Sequence, residues 1–253
     1  MEMGTVPNVL RLELNNENLT FTRLENLRET IERAQSNRSH RVLVLDLNLV
    51  RVDPDTLGPI PADHEHRSVL GSHGPGPIVE QQLIKALRNF LKPSIALIGP
   101  SLFDFGIDIA SACDVRIARG DSVISDTRVS TGRTAASGIA YLLPRLVGLS
   151  QAMRISFLGE PLSAAEALRI NFLHQVIEQE SFEAQAEEFV SRVSKMPTRA
   201  WEVHKMQVLP QLDQDFETAM VHSLGIRQTH VIKDRLEGIR AWRERRDPEF
   251  KGE

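Results

Sequence analysis

From Arg41 to Leu49 the chain is almost continuously apolar, interrupted only by Asp46 and Asn48. Side chains alternate between the two faces of a strand, so a strand with few polar residues is covered on both sides. Such strands belong to sheets sandwiched by helices. The preceding segments fit that frame. Val9 to Leu14 alternates apolar and polar residues, as a strand does. Leu24, Leu27, Ile31 and Ala34 then recur at helical spacing, with Thr22 as predicted N-cap and Glu25 in capping-box position.

From Arg51 to Pro77 the pattern dissolves. Pro54, Pro59, Pro61, Pro75 and Pro77 alternate with Gly58, Gly71, Gly74 and Gly76, which predicts a long loop. Loops of this length inside a compact domain are often functional. Periodicity resumes with a helix over Ile78 to Leu91, ended by Pro93, and a short buried strand from Ile95 to Ile98. A helix from Gly106 to Cys113 and a strand from Val115 to Ala118 follow. Further helices are predicted over Ser137–Val147, Ser150–Leu158 and Ser163–Arg169, the last opened by the capping-box pair Ser163 and Glu166. Val176-Ile177 is a short strand, and Ser181 is expected to cap a helix through Ser194. After Pro197 only helices remain. Strands alternating with helices, then helices alone, predict an α/β core over residues 1–195 with a helical region over 196–253.

At 253 residues the chain is long enough for one large core. Its net charge of -4 excludes a nucleic-acid binder that works by bulk positive charge. No apolar run approaches the roughly 18–20 residues a membrane helix needs, and the first residues show no secretory pattern. The single cysteine, Cys113, excludes an intrachain disulfide framework. Beside Ala110, Ser111 and Ala112 it reads as a packed helix residue. A reducing, cytoplasmic location is expected.

The stretch from Lys92 to Gly148 carries a specific likeness. It opens Lys92-Pro93-Ser94-Ile95-Ala96, passes through Ala112-Cys113-Asp114-Val115-Arg116-Ile117-Ala118, and closes Leu143-Pro144-Arg145-Leu146-Val147-Gly148. With Leu158-Gly159-Glu160-Pro161-Leu162-Ser163 and the ending from Glu237 to Gly252, it resembles the enoyl-CoA hydratase/isomerase, or crotonase, family. The resemblance covers most of the chain. It implies a crotonase-like spiral of ββα units with a C-terminal α-helical trimerisation region, assembled as a homotrimer or hexamer. The N-terminus is shorter than usual, with one strand before the first helix where the family generally has two.

Chemistry in that family rests on two backbone N–H groups that form an oxyanion hole for a thioester carbonyl, with carboxylates nearby to move protons. By resemblance the second N–H comes from Phe105, in Asp104-Phe105-Gly106, where the family has a run of glycines. Glycine leaves space that the Asp104 and Phe105 side chains are expected to occupy. Asp104 is also a candidate N-cap. The first donor position falls on Pro54, which has no N–H to give, or on Asp53 or Asp55 if the register slips by one.

The first catalytic glutamate falls on Asp108, shorter by one methylene, or about 1.5 Å. The second falls on Arg128, which stays charged and cannot act as a base. Two-glutamate hydration is therefore not expected. Arg128 either pairs with Asp108 or Asp126, or holds a substrate carboxylate. His64 and His66, within Asp63-His64-Glu65-His66, are candidate replacement acid/base groups, with His73 nearby. No metal and no separate cofactor is expected, coenzyme A being part of the substrate. Arg67 and Lys92 are candidate phosphate contacts. Ser125, Ser130 and Ser137 have no His/Asp partners in the sequence. His174, His204, His222 and His230 read as structural.

Three functions stay open. The first is an enzyme acting on an acyl thioester, carried by CoA or a carrier protein, through an enolate-like state. Its reaction would be isomerisation, decarboxylation, dehydration or cyclisation. The second is a CoA-independent carbon–carbon (diketone) hydrolase. The third is a non-catalytic binding or assembly subunit. No nucleic-acid or membrane partner is expected.

Overall fold

A computed structural model describes residues 6–15, 21–49 and 75–253. In chain order the strands are β1 (Val9–Asn15), β2 (Val42–Leu49), β3 (Ser94–Phe103), β4 (Val115–Arg119), β5 (Val123–Ser125), β6 (Leu162–Ser163) and β7 (Gln175–Ile177). The helices are α1 (Phe21–Ser36), α2 (Pro75–Asn89), α3 (Phe105–Ala112), α4 (Ile139–Val147), α5 (Leu149–Met153), α6 (Ala164–Arg169), α7 (Phe182–Ser194), α8 (Thr198–Gln211), α9 (Phe216–Thr229) and α10 (Asp234–Glu244).

The sheet runs β1-β2-β3-β4-β7, all parallel, as helical crossovers allow. β3 is longer than its predicted four residues. Its first half pairs with β2 and β4; its second half, Ser101 to Phe103, pairs with β5. The β2 register shifts between Leu47 and Leu49 where β3 leaves the main sheet. β6 pairs antiparallel with β5.

Alternation along β2 divides its burial between two cores. Leu43, Leu45 and Leu47 face a large cluster with Leu24, Leu27, Ile31 and Ala34 of α1 and Leu83, Ile84 and Leu87 of α2. Val42 and Val44 face the other side, against Phe182, Ala186, Val190 and Val193 of α7. Each fully buried aliphatic side chain contributes about 1.5–3 kcal/mol, so these stripes hold the helices on the sheet. Every residue of α3 is buried, which puts it at the centre of the molecule.

Two buried lysines and a half-buried arginine join the layers. Lys92 is not free for a phosphate: its Nζ donates to the carbonyls of Ala34, Asn37 and His40 at 2.7, 2.8 and 2.9 Å, closing the C-terminal end of α1. Lys205 of α8 donates to Phe90 O at 2.5 Å and pairs with Asp114 at 2.8 Å, which bolts the helical region to the sheet. Arg41 donates to Met196 O and Phe250 O, tying the last residues to β2.

Three predicted caps turn out differently. α1 begins at Phe21, so Thr22 lies in its first turn rather than before it. Ser181 occupies the N-cap position of α7 but makes no capping bond; its hydroxyl donates to Glu178 O. Ser163 accepts from Glu166 N, yet the Glu166 carboxylate pairs with Arg154 and Arg169 instead of reaching back. The segment predicted as one helix from Ser150 to Leu158 is α5 followed by a π turn, Arg154–Leu158, ending at Gly159 with φ 64°. Among the described residues no helix is long and apolar enough to cross a membrane.

Candidate active site

The site is built where β3 turns into α3. Asp104 takes φ 48° and ψ -113°, a conformation that strains any residue with a Cβ and suits glycine. It does not cap α3 with its side chain. Instead its carboxylate accepts from Thr127 N at 2.7 Å and Thr127 Oγ1 at 2.9 Å, and pairs with Arg133 at 3.0 Å. The backbone thus keeps a glycine-like turn, held by three bonds to the segment after β5.

That turn leads directly into the first residues of α3. The first N–H groups of a helix lack intrahelical partners. Ile107 N donates to Asp104 O at 3.0 Å, while Phe105 N–H has no hydrogen-bond partner among the described residues. The Phe105 side chain does not fill the space before it, contrary to the expectation from its bulk. It packs into the main core. Gly106 is required by packing, because a Cβ there would lie 2.7 Å from both Leu102 Cδ1 and Leu49 Cδ1.

Asp108 lies one turn further along α3, about 4.5 Å along the axis, with no exposed surface. Arg128 grips it bidentately, Nη1 to Oδ2 and Nη2 to Oδ1, both at 2.8 Å. The same guanidinium holds Asp126 through Nε and Nη2, also at 2.8 Å. Four hydrogen bonds to two carboxylates leave Arg128 one N–H, so it is not the free fork that would hold a substrate carboxylate. Ser137 donates its hydroxyl to Asp108 Oδ2.

Burial pushes the Asp108 carboxyl up to about 6, against the pull of Arg128. Arg128, shared between two anions, is held above its ordinary range. Glu80 of α2 is also raised by burial, while Arg128 and Arg133 draw it the other way. A groove of about 200 Å³ opens beside Ser137, between α2 and α4.

Asp108, Arg128 and the Phe105 amide therefore come together. Pro54, Asp53, Asp55, Asp63, His64, Glu65, His66, Arg67 and His73 lie outside the described residues. Ser125 and Ser130 donate to backbone carbonyls of Gly159 and Thr127. Cys113 is buried and its thiol is pushed up to about 12 by desolvation. His174 accepts from Arg116 N at 3.2 Å, a structural role. No cluster of potential metal ligands is present among the described residues. Sequence reasoning missed Glu80 and the Ser137 bond. The signal for Glu80 was its place on the stripe Glu80, Ile84, Leu87 of α2, a carboxylate on an otherwise apolar face.

Comparison with known proteins comes to the same fold. A family model described as enoyl-CoA hydratase/isomerase matches residues 78–253. The mitochondrial methylglutaconyl-CoA hydratase of Homo sapiens is 28% identical over 199 residues, 76% of this chain and 59% of that protein. The (E)-benzylidenesuccinyl-CoA hydratase of Thauera aromatica is 31% identical over 168 residues, 64% of this chain and 63% of that one. The matched regions thus span about three-fifths of these relatives' own length. The crystal structure of an enoyl-CoA hydratase from Bacillus anthracis superposes with a TM-score of 0.83 at 22% identity, covering 100% of this chain and 98% of that one, a likeness of fold.

Proposed function

The chain belongs to the enoyl-CoA hydratase/isomerase family, and from that premise we propose that it binds an acyl thioester at the N-terminus of α3 and moves a single proton through Asp108. The observation that carries this reading is the buried Asp108–Arg128–Asp126 cluster set one turn below the Phe105 amide, which has no hydrogen-bond partner among the described residues. The thioester oxygen accepts from Phe105 N–H, where the positive end of α3 favours the charge of an enolate. Asp108 takes the proton from the carbon next to the carbonyl, directly or through the Ser137 hydroxyl on its Oδ2. A carboxyl near 6 is matched to proton exchange near neutral pH. Arg128 positions both oxygens of Asp108 and transfers no proton itself. One carboxylate with a fixed cation suits isomerisation or another enolate-forming step better than hydration, which needs a second acid to manage water.

The test is deuterium incorporation at the α-carbon of butyryl-CoA in D2O, read by mass spectrometry. Wild type is expected to exchange, and Asp108→Asn to exchange about 100-fold more slowly or less. Equal exchange in the two would remove Asp108 from the mechanism. A second reading, a thioester-binding subunit without catalysis, is favoured by the three hydrogen bonds that already occupy Asp108. Thioester binding without any exchange in wild type would select it.

A homotrimer or hexamer is the assembly we infer. In support, the helical region leaves Phe216, Val221, Leu236 and Trp242 exposed, the last 81% accessible. Light scattering on the eluted protein reads the assembly directly, and a monomer at micromolar concentration would reject it.

A further inference from the structure

Asp104 stands where glycine would be at ease. Its φ of 48° and ψ of -113° lie in a region that residues with a Cβ rarely adopt. Such a conformation persists only where the surroundings over-determine it. Part of what holds it is backbone: Asp104 N donates to Ser125 O at 3.2 Å, and Asp104 O accepts from Ile107 N at 3.0 Å. A glycine could make both of those bonds. What only the side chain supplies is a clasp on Thr127 and Arg133.

Thr127 and Arg133 are the two ends of one turn. Between them Val129–Thr131 winds as a 3-10 helix, and Gly132 follows with φ 74°. Thr131 N donates to Thr127 O and Arg128 O, both at 3.2 Å, and Arg133 N donates to Arg128 O at 2.7 Å. The turn thus closes on the backbone of Arg128. The Asp104 carboxylate holds both of its ends, with Oδ1 on Thr127 N at 2.7 Å and Oδ2 on Arg133 at 3.0 Å. Thr127 is buried, so without the carboxylate its amide would lose its partner away from bulk water.

Both halves of the site adjoin that clasp in sequence. Asp104 directly precedes Phe105, and Thr127 directly precedes Arg128. Three positions must agree: the Phe105 amide, Asp108 and Arg128. α3 fixes Phe105 relative to Asp108, and the bidentate pair fixes Asp108 relative to Arg128. The clasp fixes Arg128 relative to Phe105 and closes the triangle. We propose that Asp104 is a positioning residue, whose carboxylate on Thr127 and Arg133 sets where Arg128 and Asp108 stand relative to the Phe105 amide. A strained residue occupies the turn because glycine, which would relax it, has no side chain to do this. Asp104 touches no substrate and moves no proton. The proposal rests on the reading that Phe105 and Asp108 act on an acyl thioester.

Deuterium exchange at the α-carbon of butyryl-CoA tests it, with the rate at saturating thioester and the KM read separately. Asp104→Gly keeps the turn and the Phe105 amide and loses the clasp. A shift of about 1 Å in a reacting group costs up to ~100-fold, so exchange is expected to slow about tenfold or more, with KM unchanged within about twofold. Asp104→Asn keeps an oxygen for Thr127 N and gives up the Arg133 pair, and should stay within about threefold of wild type. Thr127→Val removes one donor of the clasp while keeping its shape, and should slow exchange severalfold even if Asp104→Gly fails to fold. A wild-type rate in Asp104→Gly or in Thr127→Val would overturn the proposal while leaving the thioester reading standing. So would an Asp104→Asn as slow as Asp104→Gly, or a loss that lies wholly in KM. No exchange in wild type would overturn the proton-transfer reading, and the proposal with it.

Discussion

Asp108 is where two opposing effects can be weighed by experiment. Burial without exposed surface disfavours its charge, and a bidentate arginine at 2.8 Å favours it. Burial dominates, raising the group from 3.8 to about 6. A carboxyl with a raised folded-state pKa binds more protons folded than unfolded between those two values. Stability therefore falls as pH rises through that interval: the contribution is fully present below the unfolded value and gone above the folded one. A shift from 3.8 to about 6 at ~1.4 kcal/mol per unit amounts to ~3 kcal/mol. Asp108→Asn removes the titration while keeping the side chain's shape. Urea denaturation of both proteins should show wild type losing ~3 kcal/mol relative to Asp108→Asn between about pH 4 and pH 7. Glu166 and Glu237, held down to about 2 by arginines, have the opposite sign, but both proteins contain them and they cancel in the difference. A flat difference would mean that Asp108 has the same pKa folded and unfolded. A wild type that gains stability with pH would mean that Arg128 outweighs burial, and the reasoning would be wrong.

Three further outcomes follow from the packing. Gly106→Ala forces a Cβ to within 2.7 Å of Leu102 and Leu49, and should cost about 1–3 kcal/mol by overpacking in a thermal melt; a neutral result would show that both leucines can swing away. Lys92→Met leaves the carbonyls of Ala34, Asn37 and His40 without their shared donor, with an expected loss of about 2–3 kcal/mol in urea. Hydrogen exchange should rise around residues 34–40 in that variant, and unchanged protection there would refute the capping role. Cys113 is buried with its thiol pushed up to about 12, so Ellman's reagent should find no reactive thiol in the folded protein and one per chain in guanidinium. Rapid native labelling would show that α3 opens.

The helices α1, α2 and α7 were legible because an apolar stripe at helical spacing is a property of neighbouring residues. The strand β2 was legible because few polar residues interrupt it. The Phe105 amide, Asp108 and Arg128 were reached through resemblance, position by position. What Arg128 does there was open between two readings, and the structure shows it committed to Asp108 and Asp126.

Local periodicity, read along the chain by itself, determined an α/β core followed by helices, and marked which faces of those elements turn inward. The tertiary structure decided everything that depends on partners far apart in sequence. β3 runs on to Phe103 because β5 pairs with its second half. Asp104 leaves its cap for Thr127 and Arg133. Lys92 spends its donors on α1, up to 58 residues away, and Asp108 meets a cation 20 residues on. A charged group goes to whichever opposite charge or carbonyl lies within about 3 Å in the fold, and which group that is depends on how the crossovers stack the strands.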